Sequence, residues 1–128
     1  VIDCFVPPWN RIREDIIPIL SQLGFSGFSA FGSRSSKIHE SNLNWFNTHV
    51  DVIDWRNTRH FIGRETLISQ ITDNLRRQRK RSGTSEPIGI LTHHLDMIEN
   101  DWEEFRNIFT ILKKNNAVRF VDPLELFH

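Results

Sequence analysis

The chain of 128 residues is about 38% apolar and 25% charged, the profile of one folded domain spanning 1–128 rather than of a disordered tail. Its 16 basic and 16 acidic side chains cancel, which leaves no whole-molecule field to recruit nucleic acid or an anionic membrane. The lone cysteine, Cys4, excludes an internal disulfide and a thiolate zinc cluster and favours a reducing, cytoplasmic setting. No apolar run approaches the roughly 18 residues that cross a bilayer and no signal-peptide pattern opens the chain, so the expectation is a soluble protein with no membrane span.

The segment Val1-Ile2-Asp3-Cys4-Phe5-Val6 reads as a buried strand. Because it opens the chain without a methionine, further sequence is expected upstream. Pro7-Pro8 cannot continue a ladder and ends the strand. A helix is predicted over 16–23, with Asp15 as N-cap and Gly24 just past its end, and Ile16, Leu20 and Leu23 on its apolar face. Residues 25–31 alternate aromatic with small side chains and predict a second strand, followed by a polar, Ser-rich loop over 32–44.

A third strand is predicted over 48–55 and a long helix over 63–82, whose inner face is Leu67, Ile68, Ile71 and Leu75, with Gly83 at its end. Residues 88–91 predict a fourth strand. Asn100 and Glu103 have capping-box spacing for a helix reaching Lys114, with Trp102, Phe105, Phe109 and Leu112 as its stripe. A short strand over 118–121 and a helix start at Asp122-Pro123 complete the pattern. Strands alternating with helices predict an α/β protein with a parallel sheet. A complete (β/α) barrel takes about 200 residues or more, so the expectation is part of one, with exposed sheet edges that invite self-association.

In such folds the chemistry gathers where strands end. Three strand ends carry unusual residues: Pro7-Pro8-Trp9-Asn10-Arg11, then Asp54-Trp55-Arg56, then Ile90-Leu91-Thr92-His93-His94. Successive strand residues face opposite ways, so at most one of His93 and His94 enters a common site. His49 and Asp51 face the same way along their strand, a spacing that could suit two ligands of one metal, but a hydrogen-bonded pair at a strand end is the preferred reading. Two ligands alone do not make a metal site.

In this order the three stretches resemble the later motifs of the polysaccharide deacetylase family (NodB-type carbohydrate esterases), in a divergent branch. The resemblance covers nearly the whole chain and implies the C-terminal portion of a deformed (β/α) barrel. The family's Asp-Asp pair and His-x-x-x-His stretch do not occur in this sequence, and the resemblance places them upstream. It implies that the parent enzyme hydrolyses an acetyl amide or ester on an oligosaccharide or polysaccharide, assisted by a divalent metal, zinc foremost, whose ligands lie outside these residues. On their own, residues 1–128 are then expected to be inactive. The resemblance also gives His93 as general acid, Asp54 as the group that sets its charge or tautomer, and Trp55 as a wall of the acyl pocket. Pro8 and Trp9 become a sugar platform, with Asn10 and Arg11 as hydroxyl or acid binders.

Two other readings compete. A carbohydrate-binding module would keep the groove aromatics without catalysis. The basic run Arg76-Arg77-Gln78-Arg79-Lys80-Arg81 could grip phosphates. It lacks interleaved aromatics to stack bases, however, and cations suit the C-terminal turns of a helix, so no nucleic-acid partner is expected.

Overall fold

The structure is a computed structural model of the chain, and it describes residues 2–34, 42–80 and 86–127. In chain order the elements are β1 (Cys4–Phe5), α1 (Ile17–Gln22), β2 (Gly27–Phe28), β3 (Asn44–Trp45), β4 (Thr48–Asp51), α2 (Arg64–Lys80), β5 (Gly89–Leu91), α3 (Glu99–Lys113) and α4 (Pro123–Leu126), with single 3-10 turns at Pro8–Asn10 and Glu14–Ile16. The protein is mixed α/β. No helix among the described residues is long and apolar enough to cross a membrane. The backbone divides into two compact units, Val1–His49 with Val121–His128, and Val50–Phe120.

In the first unit β1, β2 and β3 form a parallel sheet in that order, with Cys4 opposite Gly27 and Gly27 opposite Asn44. A bridge between Phe31 and Thr48 continues the parallel pairing. Gly27 is required by packing: a β-carbon there would lie 2.5 Å from Phe127 Cδ1 and 3.2 Å from Cys4 Cβ. Ile17, Leu20, Phe28, Leu43 and Trp45 make the buried core, and Phe28 meets the Trp45 ring edge-on at 5.2 Å. Asn47 is the polar exception, only 4% exposed. Its Oδ1 accepts from Ala30 N at 2.9 Å and Trp45 Nε1 at 2.6 Å, and its Nδ2 donates to Gly32 O at 2.7 Å. A buried amide with its polar atoms filled in this way ties the ends of neighbouring strands together.

In the second unit Val50 of β4 and Val52 just beyond it join a core with Ile53, Leu67, Met97 and Ile108. Alternation along the strand then turns Asp51 to the other side. β4 and β5 form a two-stranded sheet, and Val52 N donates to Leu91 O at 3.2 Å just beyond β4. Helices α2 and α3 pack against each other, and Leu67 and Ile108 are their fully buried residues.

Several local expectations change. Strand pairing is shorter than the apolar runs: β1 takes Cys4–Phe5 from 1–6 and β2 takes Gly27–Phe28 from 25–31. The loop predicted over 32–44 ends in β3, Asn44–Trp45, whose second residue is buried; residues 35–41 lie outside the described part. Asp15 does not cap α1. It sits inside the 3-10 turn, and its carboxylate accepts from Arg13, which also holds its pKa below the usual range. Gly24 does follow α1 in the left-handed region, at φ 91°.

The N-cap of α3 is Ile98, two residues before Asn100, and Asp101 accepts from Ile98 N at 3.0 Å. This is half a capping box, because isoleucine has no side-chain acceptor to return the bond. Of the predicted α3 stripe, Trp102, Phe105, Phe109 and Leu112 are partly buried while Ile108 is fully buried. Residues 118–121 form no strand. Asp122 does cap α4, its carboxylate accepting from Leu124 N at 2.8 Å. The predicted end of α2 at 81–83 lies outside the described residues.

Candidate functional site

The site in the second unit starts from the alternation of β4. With Val50 and Val52 buried, Asp51 emerges on the opposite side at the strand's end, and each of its carboxylate oxygens finds donors. Oδ1 accepts from Ile53 N at 3.0 Å, a turn that halts the strand, and pairs with His93 Nε2 at 2.9 Å. Oδ2 accepts from Trp55 Nε1 at 3.0 Å. The Trp55 ring meets the His93 ring edge-on, centroids 4.9 Å apart. Asp51, Trp55 and His93 are therefore one cluster in which every pair touches.

A carboxylate only accepts, so Nε2 of His93 carries the hydrogen of this bond and Nδ1 is the nitrogen with a lone pair to offer. Nδ1 makes no hydrogen bond among the described residues. The two side chains are 23% and 22% exposed, covered enough to hold one geometry and open enough to be reached. The backbone after β5 fixes His93 as well: its carbonyl accepts from Asp96 N and Met97 N, both at 3.0 Å, and Met97 enters the core. His94 begins the following turn and is exposed, so of the two histidines His93 is the one brought to Asp51.

Asp54 is placed elsewhere. Its carboxylate accepts from Arg56 N, from Asn57 N and from Asn57 Nδ2, at 3.0–3.3 Å. The Asn57 side chain foremost holds its pKa below the ordinary 3.8. Its backbone closes the loop: Asp54 N donates to His60 O at 3.0 Å and Arg59 N to Asp54 O at 2.7 Å, beside an antiparallel bridge between Ile53 and Phe61. The carboxylate that orients His93 is Asp51, and Asp54 builds the loop that carries Trp55. The alternation of β4 was the available signal, since it puts Asp51 on the side away from Val50 and Val52.

The spacing of His49 and Asp51 raises the question of a shared metal. In the structure the oxygens of Asp51 are filled by Ile53, Trp55 and His93. Among the described residues no three His, Cys, Asp or Glu side chains gather as a metal set. One carboxylate and one imidazole, bonded to each other, fall short of the three protein ligands that a zinc site takes.

Pro8, Trp9, Asn10 and Arg11 stand in the first unit, in and after the 3-10 turn that follows β1. Trp9 and Asn10 both have left-handed backbone, φ 59° and 53°, unusual for two successive residues with side chains. The turn is pinned by Asn10 N to Pro7 O at 2.9 Å and by Phe31 N to Asn10 O at 3.1 Å. It displays Trp9 at 90% exposure, whereas Asn10 is half-buried, its Oδ1 covered and without a partner among the described residues. Arg11 is exposed. On α2, Arg76, Arg77, Arg79 and Lys80 are solvated, and Arg77 Nε donates to the Asp73 carbonyl near the helix end.

Comparison with protein-family models, with curated proteins and with solved structures gives no match.

Proposed function

We propose that this chain supplies the proton-handling side of a site that removes acetyl groups from a sugar or polysaccharide, within a deformed NodB-type (β/α) barrel. The observation that carries the reading is His93: one ring nitrogen anchored on Asp51, the other free, beside a partly exposed tryptophan at a strand end. The order of the three strand-end motifs along the chain supports it. A divalent metal belongs to this reading as the group that polarises the acetyl carbonyl and activates water, with ligands outside residues 1–128.

The chain's own residues do the following. Asp51 holds the Nε2–H tautomer and leaves Nδ1 as the nitrogen that takes and gives the proton. As the acetyl carbon–nitrogen or carbon–oxygen bond breaks, Nδ1–H gives its proton to the departing amine or alkoxide, and His93 returns to neutral. Trp55 keeps the imidazole plane fixed and presents an apolar wall for the acetyl methyl group. Taken by itself, the first unit presents Trp9 as an exposed face of the kind a sugar ring stacks on, with Asn10 and Arg11 next to it in sequence.

The test is acetate release from N-acetylated oligosaccharides by the chain with its natural flanking sequence, with and without chelator. Chelator-sensitive release that disappears in His93→Ala supports the reading. Saccharide binding without any release in the wild type overturns it in favour of a carbohydrate-binding module.

A further inference from the structure

The loop over 54–60 is attached to the His93 cluster through Trp55, and it is cationic. Arg56 follows Trp55 directly, and Arg59 and His60 complete its outer side, all three exposed. The one carboxylate of the loop, Asp54, is consumed by the amides of Arg56 and Asn57 and by the Asn57 side chain. Neither guanidinium has an ion-pair partner among the described residues. Arg59 also has left-handed backbone, φ 57°, a conformation that asparagine or glycine adopts more readily. Two guanidinium groups without an ion-pair partner among the described residues thus stand on the loop that Asp54 closes and that carries Trp55 to His93.

From this we infer that the substrate carries an anionic group, a carboxylate, sulfate or phosphate ester, held by Arg56 and Arg59 beside the His93 cluster. Guanidinium suits this work because its fork matches two oxygens at once and its charge is constant. The inference rests on the reading of Asp51, Trp55 and His93 as a glycan-processing site and names the substrate class of that site.

The experiment titrates the chain by calorimetry with an N-acetylated oligosaccharide containing uronic acid, with its neutral counterpart, and with inorganic sulfate and phosphate. The acidic glycan should bind at least about tenfold tighter than the neutral one, since only it can accept charge-assisted bonds from both guanidinium groups. In the double variant Arg56→Gln, Arg59→Asn that ratio should fall to about one, whereas Arg76→Gln on α2 should leave it unchanged. Asparagine at 59 accepts the left-handed backbone, which keeps the loop folded. A ratio near one in the wild type, or a ratio that survives the double variant, overturns the inference while leaving the deacetylase reading standing. Sulfate or phosphate binding lost in the double variant, with neither glycan bound, supports the anion site and removes the glycan reading instead.

Discussion

Asp51 and His93 are 42 residues apart in sequence, yet the carboxylate Oδ1 of one lies 2.9 Å from Nε2 of the other. The contact fixes which ring nitrogen carries hydrogen, because a carboxylate can only accept. In Asp51→Asn the side-chain amide can donate as well as accept, so the preference for the Nε2–H tautomer should weaken. Nitrogen-15 NMR of the imidazole should show His93 as Nε2–H in the wild type and in Asp54→Asn, and a mixed population in Asp51→Asn. An unchanged tautomer in Asp51→Asn would remove Asp51 as the orienting group.

The loop that carries Trp55 should respond to acid through Asp54. Its carboxylate, held by Asn57 first, has a pKa below 3.8 in the folded chain. A depressed pKa stabilises the fold above the unfolded value and loses that contribution as pH falls through the folded value. The amides of Arg56 and Asn57 should therefore stay protected from exchange down to about pH 4 and lose protection below it. In Asn57→Ala the carbon-13 titration of the Asp54 carboxyl should move up toward 3.8.

Asn47 was not singled out in the sequence, where one asparagine beside an aromatic pair carries no signal. Asn47→Ala leaves the indole of Trp45, the amide of Ala30 and the carbonyl of Gly32 without their partner. Denaturant unfolding should show a loss of about 2–4 kcal/mol, since buried groups left unpaired each cost about 1–3 kcal/mol. Asn47→Asp keeps the acceptor and should recover part of that loss.

The second unit depends on Leu67, which is fully buried against the residues of β4 and α3. Leu67→Ala should cost about 2–5 kcal/mol by leaving a cavity. Ile68, expected on the inner face, is 41% exposed in the structure, so Ile68→Ala should cost much less. Equal losses at the two positions would contradict the placement of α2.

Helix α2 was legible because Leu67 and Ile71 recur at helical spacing over a long stretch, and α4 because Asp122-Pro123 is a strong start signal. β3 was hidden at the end of a polar, Ser-rich stretch, with only Trp45 to mark a buried position. The α3 cap was misplaced because Asn100 is a good N-cap by type, whereas the return bond comes from Asp101 to a residue, Ile98, that no capping preference favours. Val118 to Val121 has apolar residues, but hydrophobic character alone supplies no ladder partner. At the site His93 and Trp55 were legible as residues near a strand end. Their carboxylate was not, because adjacency to Trp55 pointed to Asp54, while the bond that matters runs between separate strand ends.

The most direct test of the central claim is kcat for acetate release, measured in Asp51→Asn and Asp54→Asn with the chain in its natural flanking sequence. If Asp51 orients His93, kcat should fall on the order of a hundredfold or more in Asp51→Asn, with KM little changed, and only a few-fold in Asp54→Asn. A large loss in Asp54→Asn with near-normal turnover in Asp51→Asn would contradict the account.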